Sequence, residues 1–283
     1  MAYFKINCPF CGGNHSAVWN EETRYFRCHL CGMEGTIVPK CEETKPEHIE
    51  DWLKRQAWFK PKTKRCLESP KEPISDENII KWFANRGISE ETLIALGVTS
   101  GIDWMPPANE QRLPNGAECP TIHFNYFRDH KLVNTKLRAG DKCFRMLLPD
   151  SDIIPFNLDS IKDVPKCFIT EGEIDALSMH EIGFTQVISV VSINEIINIF
   201  ESHLKNKDFI YICADNDSHG LDLANEIKKF LKANMAKHAT VEILSDYGTK
   251  DDATLIKDAN ECLALYGPSK LYYNIVRFIQ NAQ

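Results

Sequence analysis

The sequence predicts an α/β protein whose carboxyl-terminal half is built on a mainly parallel sheet. Short apolar runs at 167–170 (CFIT), 186–191 (QVISVV), 209–214 (FIYICA) and 240–244 (TVEIL) alternate with segments of helical periodicity. Such alternation is typical of βαβ units, in which a helix connects two neighbouring parallel strands. Functional side chains in folds of this kind gather where the strands end.

Helices are predicted between and after these strands. Their expected positions are from about Ile174, then Ile193–Leu204, Leu221–Met235, Ala259–Tyr266 and Lys270–Ile279. The last of these, within 268–283, is expected to be a terminal helix or a linker.

The middle of the chain predicts a smaller α+β region. A helix is expected from Ser75 to Gly87, and Ser89 is expected to cap a second helix that is closed by Gly97. The segments 121–127 (TIHFNYF) and 132–137 (LVNTKL) alternate in strand fashion around a turn, which predicts a hairpin. Another short strand is expected near Phe144–Leu148.

Composition places the chain among ordinary globular proteins and excludes several classes. Of its 283 residues, 43% are hydrophobic and 26% are charged, which excludes disordered and fibrous proteins and allows two or three small domains. No apolar run approaches about eighteen residues, and the first residues lack a signal-peptide pattern, so we expect neither membrane insertion nor secretion. The 11 cysteines therefore predict reduced thiols or metal ligands in a cytoplasmic protein.

The net charge of −7 alone would argue against a protein that binds nucleic acid. Basic residues are concentrated, however, in 54–65 and in 128–145, whereas acidic residues are concentrated in the last third of the chain. The net charge is thus the sum of basic and acidic segments and does not describe any one of them. We expect weak, salt-sensitive binding of a phosphate-bearing partner.

Four cysteines near the amino terminus are spaced as two knuckles, C-x2-C-x16-C-x2-C. The residues are Cys8, Cys11, Cys28 and Cys31. Four thiolates in such pairs hold a structural Zn²⁺, whose binding supplies the folding free energy that so small a module lacks. We therefore predict a zinc ribbon at 1–38, followed by a flexible, basic and proline-rich linker at 39–74.

Aromatic and basic residues lie between the two knuckles. Trp19, Arg27 and His29 would suit recognition of single-stranded nucleic acid, because aromatic rings stack on bases and arginine reads guanine edges. The same residues could instead pack the ribbon. Both interpretations are open at the level of sequence.

Acidic residues follow two of the predicted parallel strands. Glu171 comes directly after 167–170, and Asp215 and Asp217 come directly after 209–214. Both groups of acidic residues are therefore expected to lie at the same edge of the sheet. Clustered carboxylates repel one another, so their convergence indicates Mg²⁺ or Mn²⁺ and the chemistry of phosphoryl transfer.

Together these motifs carry a resemblance to a known family. A strand ending in Glu-Gly and a later strand ending in Asp-x-Asp-x-x-Gly resemble the TOPRIM domain of primases and topoisomerases, and the cysteine quartet resembles a primase zinc-binding domain. The stretches at 86–97, 136–145, 170–175 and 257–262 are similar in order and spacing to the primase half of phage primase-helicases. The resemblance covers roughly 8–267.

The resemblance implies a DnaG-like DNA primase, which makes short RNA primers de novo on a single-stranded DNA template from ribonucleoside triphosphates. It implies an α+β subdomain of the RNA polymerase domain at 75–165 and a TOPRIM catalytic domain at 166–267. Glu171 would be the metal-linked catalytic carboxylate, with Asp215, Asp217 and Asp258 as ligands of Mg²⁺ or Mn²⁺. Asp251 and Asp252 compete with Asp258 for this role.

By the same resemblance, the basic stretch would bind the triphosphates or the template backbone. Its residues are Lys136, Arg138, Lys142 and Arg145. Positive charge opposite metal-loaded carboxylates would clamp a nucleotide from its phosphate side. A solvated basic hairpin is the alternative interpretation.

Two departures from the family pattern limit what is expected. The segment 189–194 (SVVSIN) stands where relatives have a glycine-containing turn, so contacts of that loop with substrate are in doubt. No G-x4-G-K-[ST] motif occurs, so we expect a replicative helicase either in trans or in another part of a larger, phage- or mobile-element-encoded polypeptide. A TOPRIM nuclease and a non-catalytic zinc-TOPRIM protein of recombination are the rival functions.

Overall fold

The computed structural model describes residues 3–6, 17–20, 25–28, 34–36, 74–105, 117–139, 143–148 and 151–282. The chain divides into two compact units. One consists of Met1–Cys66 with Leu148–Asp152, and the other of Leu67–Leu147 with Ile153–Gln283. We describe each unit by itself.

The first unit contains a four-stranded antiparallel sheet. Its strands are β1 (Tyr3–Ile6), β2 (Ala17–Asn20), β3 (Tyr25–Cys28) and β4 (Glu34–Thr36), hydrogen-bonded in that order. Cys28 is buried at the end of β3, and the ring of Trp19 is only 3% exposed, which favours the packing interpretation for that residue. Cys8, Cys11, Cys31 and His29 lie outside the described residues, so the zinc site stays a prediction.

The second unit begins with two helices and an antiparallel meander. Its elements are α1 (Glu77–Ala84), α2 (Glu90–Ala95), β5 (Thr99–Met105), β6 (Ala117–Arg128), β7 (Lys131–Ala139) and β8 (Cys143–Met146), with the strands paired in sequence order. Ser89 caps α2, and the hairpin of β6 and β7 lies where the sequence predicted it. Asp129 and His130, both with positive φ, form its two-residue turn.

A parallel sheet forms the rest of this unit. Its strands are β9 (Lys166–Thr170), β10 (Val187–Ser189), β11 (Phe209–Cys213) and β12 (Thr240–Leu244), in the spatial order β10-β9-β11-β12. The helices are α3 (Glu173–Glu181), α4 (Ile193–Ile199), α5 (Ser218–Asn234), α6 (Ala259–Tyr266) and α7 (Pro268–Ala282). A 3₁₀ turn lies at Leu158–Ile161, and a π-helical turn at Phe200–Leu204 continues α4. The predicted α/β class with a mainly parallel sheet is confirmed.

One apolar core joins the meander to the parallel sheet. The ring of Phe156 is fully buried and contacts Phe124 and Tyr126 of β6 edge-on, at centroid distances of 5.9 and 5.6 Å. Phe168 of β9 stacks on Tyr211 of β11 within the same core. This shared core holds the meander in a fixed position beside the carboxyl edge of the parallel sheet.

Glu181, near the end of α3, connects the helix of the parallel-sheet region to α2 through hydrogen bonds. Its Oε2 accepts hydrogen bonds from the backbone N–H and the hydroxyl of Ser89, at 3.0 and 2.8 Å, and from the hydroxyl of Thr92, at 2.5 Å. Burial raises the pKa of Glu181, but the hydrogen bonds from Thr92 and Ser89 lower it by more. The carboxylate therefore satisfies, from another helix, the backbone N–H and the hydroxyl of the residue that caps α2 and the hydroxyl of Thr92.

A Glu181→Ala variant is expected to lower the free energy of unfolding at pH 7 by about 1–3 kcal/mol, because three donors lose their acceptor. Since the pKa of Glu181 is lowered on folding, its contribution is present above the ordinary value of 4.5 and is lost as the pH falls through the lower folded value. Urea denaturation at pH 7 and pH 3.5 measures both effects. Glu77→Ala is the control, because Glu77 forms only an exposed pair with Lys81, and an equal loss in both variants would contradict the account.

Candidate active site at the carboxyl edge of the parallel sheet

Acidic side chains reach one edge of the sheet from four neighbouring segments. Glu171 follows β9, and Asp175 lies in the first turn of α3. Asp215 and Asp217 follow β11, and Asp258 caps α6 by accepting a hydrogen bond from the N–H of Glu261 at 2.7 Å. Because β9 and β11 are adjacent and parallel, their carboxyl ends bring these groups together.

Three of the carboxylates form a tight triad. One oxygen from each of Asp175, Asp215 and Asp258 lies within 4.8 Å of the others. Burial, reinforced by the charges of Asp258 and Asp215, raises the pKa of Asp175 well above its ordinary value. Burial and the charge of Asp215 likewise raise the pKa of Asp258. The triad is thus an arrangement that a bound cation would stabilise.

Glu171 lies beside the triad with one oxygen unused. Its Oε2 is buried and has no hydrogen-bond partner among the described residues, and its Oε1 is 3.8 Å from Nε2 of His219. Burial, followed by the charge of Asp215, raises the pKa of Glu171. A buried carboxylate oxygen without a hydrogen-bond partner is costly, so this atom is suited to contact a cation.

Gly220, in the first turn of α5, allows these acids to approach each other. A Cβ atom added at this position would lie 2.6 Å from the backbone oxygen of Asp215 and 2.9 Å from Oε2 of Glu171. Real Cβ atoms essentially never come within 3.0 Å of such neighbours. The glycine of the Asp-x-Asp-x-x-Gly motif is therefore required for the close packing of α5 against the acidic edge.

Lys257 neutralises the outer part of the site. Its Nζ lies 3.1 Å from Oδ2 of Asp215 and 3.2 Å from Oδ2 of Asp217. The other oxygen of Asp217 accepts a hydrogen bond from the N–H of Gly220 at 2.9 Å, and this bond is the main cause that lowers the pKa of Asp217. Asp217 is therefore held as a charged carboxylate at the rim.

One member of the triad, Asp175, was not among the predicted acids, and two predicted acids, Glu171 and Asp217, lie outside the triad. Asp258 is part of it, whereas Asp251 and Asp252 are exposed in a separate turn, where Asp252 accepts hydrogen bonds from Thr254. Sequence reasoning did not select Asp175. A signal was available, because Asp175 lies four residues after Glu171, at the first turn of the helix that follows the strand.

The basic residues divide between the two faces of the meander. Lys136 and Arg138 alternate with Leu137 along β7 and share one face, whereas Arg145 is paired with Leu137 and lies on the other face. On that face burial raises the pKa of Asp103, but hydrogen bonds with Thr121 and His123 lower it by more, and the positive charge of Arg145 adds a smaller contribution in the same direction. Lys142 lies outside the described residues.

Lys136 is connected to the parallel sheet through a buried carboxylate. Its Nζ lies 2.7 Å from Oε1 of Glu173, the same atom that accepts a hydrogen bond from the hydroxyl of Tyr126 at 2.5 Å. Glu195, in the first turn of α4, is also buried, near enough to Glu173 to feel its charge. Burial, with a contribution from the charge of Glu173, raises the pKa of Glu195 to about 8.

Comparisons with known proteins identify the family to which the chain belongs. A family model described as Toprim-like matches residues 168–263. A curated relative from Arabidopsis thaliana, the primase homolog protein, is 31% identical over 260 residues, which cover 85% of this chain and 68% of the relative. The chain belongs to the DnaG-like primase family. The predicted relationship is confirmed.

A second relative and two solved structures are also similar to this DnaG-like primase. The Twinkle homolog protein, chloroplastic/mitochondrial, of Arabidopsis thaliana is 29% identical over 93% of this chain, which spans 37% of that protein's length. The primase fragment of the bacteriophage T7 primase-helicase has a TM-score of 0.52 at 18% identity, covering 97% of this chain and 100% of the fragment. The Aquifex aeolicus primase has a TM-score of 0.50 at 15% identity, covering 97% and 78%. These structures show the fold alone.

The primase fold implies a divalent metal ion, and the residues at this edge fit one. The donors are all carboxylate oxygens, which Mg²⁺ and Mn²⁺ prefer. The raised pKa values of Asp175 and Asp258 and the unpartnered Oε2 of Glu171 are local costs that a cation would offset. Which of the two metals binds stays a prediction.

None of the helices that the structure describes combines the length and apolar character needed to cross a bilayer.

Proposed function

We propose that this protein is a DNA-directed RNA polymerase that makes short RNA primers de novo on single-stranded DNA. The observation that supports the proposal most strongly is the acidic triad, with Glu171 beside it, in a chain of the DnaG-like primase family. The proposed ligands of the catalytic metal ions are Glu171, Asp175, Asp215, Asp217 and Asp258. The substrates are the template strand and ribonucleoside triphosphates.

The proposed reaction is in-line attack of the 3′ hydroxyl of one nucleotide on the α-phosphate of the next. A bond forms between the hydroxyl oxygen and the α-phosphorus, the bond to the β-phosphate oxygen breaks, pyrophosphate leaves, and the hydroxyl proton passes to water. Bound Mg²⁺ or Mn²⁺ would supply neutralising charge for the phosphates and lower the pKa of the hydroxyl. Positioning and electrostatic stabilisation account for most catalysis in phosphoryl transfer, so the protein needs to supply little acid-base catalysis.

The basic face of β7 is proposed to bind phosphate groups opposite the acids. Lys136 and Arg138 share this face, and Lys136 contacts Glu173, which is two residues from Glu171. Burial, followed by the charge of Arg86, lowers the pKa of Arg138, and the charge of Glu173 opposes this only in part. Roles for Lys142 and Arg145 in nucleotide or template binding remain predictions, and Arg145 would have to act from the other face of the meander.

The amino-terminal unit is proposed to select the template site. Its zinc-bound ribbon would present Arg27 and His29 to unpaired bases, with the basic linker allowing delivery to the polymerase. A replicative helicase is the proposed partner, in cis or in trans, because the T7 structure is named as a fragment of a primase-helicase. The cytoplasm is the location expected from sequence, whereas the Twinkle homolog is named as a protein of chloroplasts and mitochondria.

Incubation with single-stranded DNA, ribonucleotides labelled at the α-phosphate and Mg²⁺ or Mn²⁺ tests this function. Labelled oligoribonucleotides are the expected product, and their absence in an Asp215→Asn variant would assign them to this site. Shortened end-labelled DNA would instead identify a nuclease, which uses the same kind of acids. Neither product, with DNA still bound, would identify a non-catalytic binding protein.

A further inference from the structure

A histidine lies beside the acidic edge, in the first turn of α5. Nε2 of His219 is 3.8 Å from Oε1 of Glu171, and the histidine side chain is 80% exposed. The lysine of the site, Lys257, contacts Asp215 and Asp217 rather than Glu171. His219 thus adds a nitrogen donor to an edge whose other candidate ligands are carboxylate oxygens.

The backbone at the start of α5 places His219 next to Glu171. Asp217 caps this helix by accepting a hydrogen bond from the N–H of Gly220 at 2.9 Å. Gly220 lacks the Cβ atom that would lie 2.9 Å from Oε2 of Glu171, so the turn comes directly against that carboxylate. The residue that precedes this glycine is therefore held at the acidic edge by the packing of the helix.

The separation of the imidazole and the carboxylate fits a shared metal ion. Bonds from a divalent ion to imidazole nitrogen or carboxylate oxygen are about 2.1 Å long, so one ion can contact two donors that are up to about 4.2 Å apart. The 3.8 Å between His219 and Glu171 is within this limit, and it is too long for a hydrogen bond between the two side chains. Oε2 of Glu171 is buried without a hydrogen-bond partner among the described residues. The pair is therefore open to a cation.

We propose that His219 is a ligand of the metal ion held by Glu171 and that it makes the site selective for Mn²⁺ over Mg²⁺. Mg²⁺ is a hard ion that takes oxygen ligands, whereas transition-metal ions also accept imidazole nitrogen. A nitrogen donor among the carboxylates therefore strengthens the binding of Mn²⁺ more than that of Mg²⁺. The role of this ion in primer synthesis rests on the proposed function, whereas metal binding itself does not.

A second histidine provides a matched pair away from the acids. Nε2 of His238 lies 3.8 Å from Oδ1 of Asp208, and its side chain is 76% exposed. Asp208 directly precedes β11, whereas Asp215 follows the other end of that strand. The pair has the same separation as His219 and Glu171 and a similar exposure. A variant of His238 therefore measures the effect of removing an exposed imidazole alone.

Pulsed electron paramagnetic resonance of Mn²⁺ bound to the full chain at pH 8 tests the assignment, because it detects nitrogen coordinated to the ion. Labelling histidine with nitrogen-15 distinguishes imidazole from other nitrogens. A histidine coupling is expected in the wild-type protein and in His238→Gln, and none in His219→Gln. Competition titrations are expected to show that the ratio of the Kd for Mg²⁺ to the Kd for Mn²⁺ falls by about tenfold in His219→Gln and by less than about twofold in His238→Gln.

The possible outcomes separate this proposal from the proposed function. A wild-type protein that binds no Mn²⁺, or binds it without coupling to a histidine nitrogen, would overturn the metal ligand, as would a coupling that persists in His219→Gln. An unchanged ratio of the two Kd values in His219→Gln would overturn the selectivity. Because His219 is exposed, its variant is expected to keep the circular dichroism spectrum of the wild-type protein. A protein that shows the expected coupling and Kd ratio but makes no primers would overturn the proposed function alone.

Discussion

An Asp175→Asn variant is expected to lose primer synthesis by about a thousandfold while its metal-free fold becomes more stable than that of the wild-type protein. Asp175 is 8% exposed and faces two other carboxylates, so the amide removes a repulsive charge. The amide oxygen can still accept the hydrogen bond from the N–H of Asn260. Thermal denaturation in EDTA at pH 8 is expected to give a Tm higher by at least about 2 °C.

The pH dependence of the difference in stability between Asp175→Asn and the wild-type protein tests the assignment more specifically. The pKa of Asp175 is raised on folding, so the folded state binds its proton more tightly than the unfolded state. The free energy of unfolding of the wild-type protein therefore falls as the pH rises above the ordinary value of 3.8, and the variant lacks this loss. The difference in the free energy of unfolding between the variant and the wild-type protein should increase from pH 5 to pH 8 in EDTA. It should disappear with saturating Mn²⁺.

The control is Asp222→Asn, which removes an exposed carboxylate from α5. This variant should match the wild-type protein in activity, in Mn²⁺ binding measured by electron paramagnetic resonance, and in its pH dependence. An Asp175→Asn protein that is as active as the control, or less stable than the wild type at pH 8 in EDTA, would contradict the assignment of Asp175 to the metal site.

A Gly220→Ala variant is expected to lower the rate of primer synthesis by about a hundredfold, because displacement of reacting groups by about 1 Å has an effect of that size. The new Cβ would lie 2.7 Å from Cβ of Asp215, so the start of α5 must move away from the acidic edge. Asp217, which caps that helix, would move with it. The rate of primer synthesis and the Tm should be measured together.

Asn225→Ala is the matched control for this change, since it places an alanine at an exposed position of the same helix. Its rate of primer synthesis should equal that of the wild-type protein, and its Tm should not be lower, because alanine has a higher helix propensity than asparagine. A Gly220→Ala protein with normal activity would show that the close contact between α5 and Asp215 is not needed for catalysis.

The secondary structure of the second unit was largely predictable from the sequence. The apolar runs that were expected to be strands became β9 to β12, and Ser89 caps α2 as its position suggested. Strand β5 was not predicted, because Gly101 interrupts it and its exposed residues include Ile102 and Trp104 rather than polar side chains. Pairing with the long strand β6, which local sequence does not encode, keeps this segment extended.

The edge of the sheet that carries the acids was predictable, but their exact grouping was not. Asp175 looked like an ordinary acidic residue at a helix start, where carboxylates are common. Its burial depends on the approach of Asn260, which is 85 residues away in sequence. The separation of Arg145 from Lys136 and Arg138 depends on the register between β7 and β8, and a shift of one residue would have reversed it. The cation–π contact of Arg138 with Trp82, 5.1 Å from the guanidinium carbon to the ring centroid, follows only from the packing of α1 on the meander.

De novo initiation is tested most directly with ribonucleoside triphosphates labelled at the γ-phosphate. A primer started de novo keeps the 5′ triphosphate of its first nucleotide, whereas extension of an existing end loses every γ-phosphate as pyrophosphate. We predict that the label enters short oligoribonucleotides only when single-stranded DNA and Mg²⁺ or Mn²⁺ are present, and that Asp215→Asn abolishes this product. Product that carries the α-label and never the γ-label, or no RNA product under any of these conditions, would contradict the assignment of this protein as a primase.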